Sequence, residues 1–486
     1  MIIVGSDIAG KCKNVIYWTE CDLQRFIQTI FRKRIKMDGL DKLKRYPHIL
    51  DEIFRNVKAT SLLKAEKVSP LWEQIISMVN IWRKRWQRGS VSPTWKTLTA
   101  RMEHTKPELF SETKEGESFD YREACSYVES NIQYALECSV RNHHRYKSVL
   151  RDWILIVAFE VNDRHVYIGQ RKGTIKIFNR WSGQLIKVLD VSVKGCHLFD
   201  LQLNDHYLVT LFTNGNIVVY DLNSHDRIQM MNDHNQWFSQ VGEFYLKSDV
   251  LITSAISLDN ESLVINVRRL NPSTTQFGPE IENRIVINFD EKLNYSRIYC
   301  DERFLIVDVN SILETLKLKK VIKVFDLRSL EQVRERIDFE ECFSDSCCTQ
   351  LIKKECHDGV IVMQNISDEE GRHFVAWDIE KDTIQPLMSH HNHNEENKCF
   401  GSATVTNQQD YQFILNKADG KFSLSVFSVE GRQSSEHPFL MNHQSTSLPI
   451  EVTQRFIGDS DPLIYFDGLQ LIVVRKNGLE FVDFVI

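Results

Sequence analysis

The sequence predicts a multidomain α + all-β chain, helical at its front and built from strands behind. Three observations carry this. From Thr19 to about Leu150 the apolar residues recur three and four apart; beyond Leu150 they recur two apart. After that point Gly, Asn and Asp punctuate short apolar runs, the composition of strands and hairpins. The strand-rich part also repeats itself at a regular interval.

In the helical part, "DLQRFIQTIF" and "REACSYVESNIQYALECSV" carry the 3.6-residue period, and the polar "KPELFSETKEGESFD" reads as a loop between helices. Within it, "YPHILDEIFRNVKATSLLKAEKVSPLW" (Tyr46–Trp72) reads as a helix pair. Ile49, Ile53 and Val57 stand four apart, as do Leu50 and Phe54, and together they make a broad stripe. Pro47 falls in the first turn, where its missing N–H costs nothing. Ser61 stands where it can cap a second helix. Burying the nine apolar side chains of this pair at ~1.5–3 kcal/mol each exceeds what two short helices recover from one another. The surplus implies a docking partner.

The strand region begins with two aligned units. "FEVNDRHVYIGQRKGTIKIF" (Phe159–Phe178) lies over "LQLNDHYLVTLFTNGNIVVY" (Leu201–Tyr220) at an offset of 42 residues. Asn162-Asp163 meets Asn204-Asp205, and Gly173 meets Gly215. Each unit reads as strand, Asn-Asp turn, strand, Gly turn, strand, with glycine supplying a positive φ at the second turn. The third-strand signature recurs near residues 174, 216, 262, 321, 373, 423 and 479, which makes seven repeats. Four strands per unit at an interval of roughly 40–45 residues is the mark of a β-propeller, here seven-bladed. "NSILETLKLKK" makes the second hairpin of the fourth unit unusually long. The last repeat ends after its third strand, so the strand before the first unit, "YKSVLRDW" (Tyr146–Trp153), is expected to complete it and remove an open edge.

This region resembles the WD-repeat propellers. Tyr220-Asp221, Phe325-Asp326 and Trp377-Asp378 stand where that family places Trp-Asp, at the end of the third strand. The helix pair in turn resembles the F-box. Ile49-Leu50, Ile53-Phe54, Val57, Leu62-Leu63, Val68 and Trp72 fall in register with that motif, while Ser61, Ser69 and Val57 replace its usual Asp, Cys and Leu. Pro47 lies one residue closer to the first helix than the motif's proline.

The resemblance implies an N-terminal helical extension (1–39), an F-box (40–86), a helical linker (87–148) and a WD-repeat-like propeller (149–486). It implies adaptor binding through Pro47, Ile49, Leu50, Ile53, Phe54, Val57, Leu62, Leu63, Val68 and Trp72. The chain would then be the substrate-recognition subunit of an SCF-type cullin-RING ubiquitin ligase, acting by proximity rather than by its own chemistry. The rival reading is a propeller scaffold for protein assembly with no ubiquitin role.

Other signals narrow the reading. Residues 1–105 hold 20 Lys+Arg against 10 Asp+Glu, so the rest carries −16 of the overall −6. A basic head and an acidic body point to different partners. "FRKRIK" and "WRKRWQR" are read as helix-end charge and packed tryptophans rather than nucleic-acid contacts. No run is long and apolar enough to span a membrane. Without an export signal, the eleven cysteines read as free thiols in the cytoplasm and/or nucleus. No enzyme motif appears and no cofactor is expected. "SHHNHNEENKC" (Ser389–Cys399) reads as a surface loop, not a metal site. Arg171 and Lys172 of the first unit and Arg475 and Lys476 of the last occupy equivalent hairpins on neighbouring blades. They are the candidate substrate-binding residues, suited to an acidic or phosphorylated segment.

Overall fold

The computed structural model describes most of residues 51–484. Its main exclusions are 111–118, 137–140, 147–155, 233–237, 313–317, 341–349, 391–403, 431–438 and 452–463, with several shorter stretches. The chain divides into two compact units, Met1–Ala135 and Leu136–Ile486.

The described part of the first unit is helical: α1 (Ala59–Val68), α2 (Pro70–Met78), α3 (Ile81–Gly89), α4 (Pro93–Thr105), a 3-10 turn (Pro107–Leu109) and α5 (Tyr121–Leu136). Pro70 and Pro93 open their helices, where proline lacks no needed donor. The core takes Leu62 and Ala65 from α1, Ile75 and Ile76 from α2, Ile81 from α3, Leu98 and Met102 from α4, and Ala124, Cys125 and Val128 from α5, all nearly inaccessible. Asp120 caps α5 by accepting from the N–H groups of Arg122 and Glu123. Among the described residues no helix is long and apolar enough to cross a membrane.

Beyond Leu136, which ends α5, the described elements of the second unit are strands, and they form seven antiparallel sheets. The first contains β2 (Ile156–Val161), β3 (His165–Gln170), β4 (Thr174–Asn179) and β5 (Leu185–Asp190). The second contains β6 (Leu198–Leu203), β7 (Tyr207–Phe212), β8 (Asn216–Asp221) and β9 (Arg227–Asn232). The third joins β10 (Phe238–Lys247), β11 (Val250–Ser257), β12 (Ser262–Asn271) and β14 (Asn283–Asn288), with the short β13 (Gln276–Phe277) beside β12. The fourth runs β15 (Lys292–Cys300), β16 (Phe304–Ile312), β17 (Leu318–Asp326), β18 (Gln332–Glu340), and its β16–β17 hairpin is the long one expected. The fifth runs β19 (Gln350–His357), β20 (Val360–Ser367), β21 (Gly371–Asp378), β22 (Thr383–His390). The sixth runs β23 (Thr404–Gln408), β24 (Tyr411–Ala418), β25 (Lys421–Glu430), β26 (Phe439–Glu451). The seventh pairs β27 (Ile464–Phe466), β28 (Gln470–Arg475) and β29 (Gly478–Asp483) with β1 (Asn142–Tyr146), a strand from ahead of the first sheet.

Apolar clusters join successive sheets. Tyr167, Ile177, Leu201 and Leu208 bridge the first and second, and Val209, Val219, Phe244 and Leu251 the second and third. Ile265, Val267, Val307 and Phe325 bridge the third and fourth, while Tyr299, Ile306 and Trp377 link the fourth to the fifth. Val166, Ile168 and Phe178 of the first sheet pack on Ile472, Val474 and Phe481 of the last. First and last sheets are therefore neighbours, the arrangement of a closed propeller.

Three sequence expectations need correction. The closing strand is Asn142–Tyr146 rather than Tyr146–Trp153: Asn142 faces Asp483 and Tyr146 faces Leu479. Residues 147–153 lie outside the described residues. The segment 87–148 is consequently not helical to its end, and strand structure starts before residue 149. "NHHRY" lacks alternating apolar residues, so its strand character comes from its partner β29 and not from its own pattern. Third, Ser61 does not open a helix, because α1 starts two residues earlier, at Ala59.

Candidate docking site and recognition face

Around α1 the candidate adaptor residues separate by exposure. Phe54, Val57 and Leu62 are 3%, 6% and 1% exposed and belong to the core of their own unit, while Leu63 is half-buried. Side chains so enclosed pack within their own unit. Val68 ends α1 and Trp72 lies in α2, but their side chains, with Pro47, Ile49, Leu50 and Ile53, lie outside the described residues.

The segment is fixed by polar contacts from distant helices. Trp82 Nε1 donates to Glu66 Oε1 at 2.8 Å, and Glu66 Oε2 pairs with Arg122 of α5 at 2.9 Å. Arg85 donates to Glu129 and to the carbonyl of Val57. The basic run of α3 is thus largely engaged within the unit, Lys84 and Arg88 facing Asp51 at 3.4 and 3.9 Å. Trp86 meets Trp95 edge to face and Phe119 at a tilt, centroids 5.6 and 5.1 Å away. Burial pushes the Cys125 thiol up to about 12, so it remains protonated and packs as a small hydrophobe, its Sγ near the Trp82 carbonyl at 3.4 Å.

On the second unit the two kinds of strand end differ. Turns between first and second strands, and between third and fourth, lie on one face. Asn162, Asn204 and Asp467 cap the former by accepting from N–H groups two and three residues on. Asn179, Asp221, Asp326 and Asp378 cap the latter. The Trp-Asp-like aspartates therefore act as turn caps at the ends of β8, β17 and β21. Backbone N–H donors from Ser224 and Ser329 hold Asp221 and Asp326 below the usual carboxylate range.

The other face carries the hairpins between second and third strands. Gly173 and Gly215 adopt φ of 87° and 77°, as their turns require, and a side chain at 173 would strike Ser192. Arg171 and Lys172 are exposed beside Gly173. Arg475 pairs with Gly478 in the equivalent hairpin of the neighbouring last sheet, but its side chain and all of Lys476 lie outside the described residues. Sequence reasoning missed Lys194, His197 and Phe199, all exposed next to this hairpin. The Leu198 N–H donates to the Arg171 carbonyl at 2.9 Å and ties the two segments together. Among the described residues Arg171, Lys172 and Lys194 make no ion pair. Only their position in the connection following β5 and at the start of β6, which open onto the same face, could have flagged the added residues. Among the described residues no group of three or more His, Cys, Asp or Glu could hold a metal.

At the junction of first and last sheets sits Arg180, 1% exposed. Its Nε donates to Gln470 Oε1 at 2.9 Å and its Nη1 to the Asn162 carbonyl at 3.2 Å, and it pairs with Asp467. Its guanidinium lies over Trp181 and Tyr465, 4.6 and 5.5 Å from the ring centroids. Burial disfavours the charge there, but Asp467, Tyr465 and Asp163 together more than offset this, and Arg180 stays protonated.

A helical unit ahead of a β-propeller is the class of molecule these features define. Residues 47–84 match the F-box domain family and form an F-box domain. The chain is 26% identical over 173 residues to the F-box and WD repeat domain-containing 11-A protein of Danio rerio, over 34% of this chain and 30% of that protein. The match thus spans under a third of that relative's length. Among solved structures, a chain of the mitotic checkpoint complex aligns over 71% of this chain and 91% of its own, at 12% identity and a TM-score of 0.43. The computationally designed Ika8 protein aligns over 70% and 98%, at 15% identity and a TM-score of 0.40. At these scores the structural likenesses carry no conclusion about this chain.

Proposed function

We propose that this chain is the substrate-recognition subunit of an SCF-type cullin-RING ubiquitin ligase. The observation that carries the reading is an F-box domain and a propeller-type β unit in one chain. The F-box docks the ligase adaptor and, through it, the cullin; the propeller holds a protein substrate. In this reading the F-box occupies 40–86, the expected extension at 1–39 lies outside the described residues, and the propeller begins with the closing strand at Asn142. The protein has no chemistry of its own and works in the cytoplasm or nucleus, raising the effective concentration of substrate lysines near activated ubiquitin.

The substrate segment is acidic or phosphorylated and meets the face that carries Arg171 and Lys172, with Arg475 and Lys476 on the adjoining hairpin. Charge-assisted hydrogen bonds to such a segment contribute roughly 1.5–3 kcal/mol each. Purification of the intact protein should bring down adaptor and cullin, and Leu63→Glu should abolish this while leaving both units folded. Arg171→Glu should weaken substrate capture, with steep salt dependence in the parent, and leave adaptor binding unchanged. The scaffold reading draws on the burial of Phe54, Val57 and Leu62 within their own unit. Adaptor absent from the purified wild-type protein would favour that reading and overturn the ligase one.

A further inference from the structure

We infer that Glu129, on α5 and 45 residues beyond the F-box match at 47–84, is a positioning residue for the adaptor-docking surface. The inference rests on the adaptor docking proposed above. One carboxylate gathers three parts of the docking segment. Its Oε2 accepts the N–H of Ala59, the first residue of α1, at 2.8 Å. Its Oε1 accepts from Nε of Arg85 on α3, and Arg85 Nη2 donates to the carbonyl of Val57, just before α1.

The chemistry suits the position. The first N–H groups of a helix have no partner within it, and its N-terminus favours an anion. Ser61, standing where the motif has its usual Asp, would supply that acceptor from a cap position, but it lies inside the first turn. The cap comes instead from a helix far along the chain. Side chains of Arg85 and Glu129 are only 14% and 22% exposed, so water replaces little of the contact once it is lost. Arg122–Glu66 and the Cys125 contact with Trp82 make α5 a continuous brace along α1 and α3. Where α1 starts, and how it lies against α3, is therefore decided outside the F-box.

The test uses the full-length protein and purified SCF adaptor. Glu129→Ala should weaken adaptor binding about tenfold, whereas Glu129→Gln, which keeps an acceptor for Ala59, should stay within about threefold of wild type. Arg85→Ala combined with Glu129→Ala should be no worse than the worse single change, because both remove one network. Amide exchange at residues 57–62 should quicken in Glu129→Ala while α4 and the β unit remain protected. Wild-type affinity in Glu129→Ala overturns the inference alone, as does exchange that quickens evenly through all the helices. Failure of the wild type to bind adaptor overturns the docking reading and this inference with it.

Discussion

The two units are held together in different ways. In the β unit the stabilising devices are local and repeated: a cap two or three residues before the N–H it serves, a glycine at the tight turn, a strand beside its sequence neighbour. In the helical unit the decisive polar contacts are singular and distant, such as Glu129 to Ala59 and Arg122 to Glu66. The exception in the β unit is its closure, where β1 and Arg180 join segments roughly three hundred residues apart. Repetition lets each sheet be specified by its own stretch of chain, and only what ends the repetition must be supplied from afar.

The largest expected effect comes from breaking that exception. Deleting residues 142–146 strips β29 of its outer partner and leaves an apolar edge. Such a chain should lose its cooperative β transition and aggregate on size-exclusion chromatography; a soluble monomer with the parental melting curve would show that closure does not depend on β1. Arg180→Ala should follow, lowering stability of the β unit by ~3 kcal/mol in denaturant titration because it leaves buried polar partners unpaired. A loss below about 0.5 kcal/mol would reduce the clasp to an ordinary surface pair.

Leu62→Ala sharpens the contrast between units. Truncating a side chain 1% exposed should cost the helical unit ~2–5 kcal/mol and leave the β transition in place. Calorimetry in which both transitions fall together would deny the units their independence.

The smallest effect is one of pH. Half-buried His165 and His225 flank Tyr167, with centroids 6.1 and 6.3 Å away, where the first and second sheets meet. Burial lowers both imidazole pKa values; His225 and Arg164 add to this at His165, and Lys187 at His225, against the opposing charges of Asp221 and Asp226. The unfolded chain thus binds these protons more readily. The stability they contribute is present above the ordinary histidine pKa of about 6.5 and is lost as pH falls through and below it. His165→Asn with His225→Asn should flatten the loss in melting temperature between pH 7 and 5.5, and asparagine suits the left-handed backbone at 225, where φ is 62°. An unchanged slope would place the acid sensitivity elsewhere.

Most of the architecture was legible because its causes are local. The 42-residue offset fell on equivalent strands, and all seven third-strand signatures lie in β4, β8, β12, β17, β21, β25 and β29. The Trp-Asp-like aspartates and the turn glycines could be placed because a cap or a positive φ is required by the few residues around it. The candidate sites were legible as motifs and only partly as surfaces. The spacing of Phe54, Val57 and Leu62 marks an apolar stripe, but a stripe does not say whether its own domain or a partner covers it. Lys194 and His197 carried no signal, since a cation in a loop looks the same wherever the loop ends up.

By itself the sequence determined the change from helix to strand, the repeat, the turn chemistry and the F-box register, all of which depend on residues within a few positions of one another. The tertiary structure alone decided that "NHHRY" is a strand, that α1 begins at Ala59 under Glu129, that Arg180 is buried between the first and last sheets, and which motif residues face inward. Each of these turns on which distant group supplies a missing hydrogen-bond partner or covers an apolar face, and no local pattern encodes that choice.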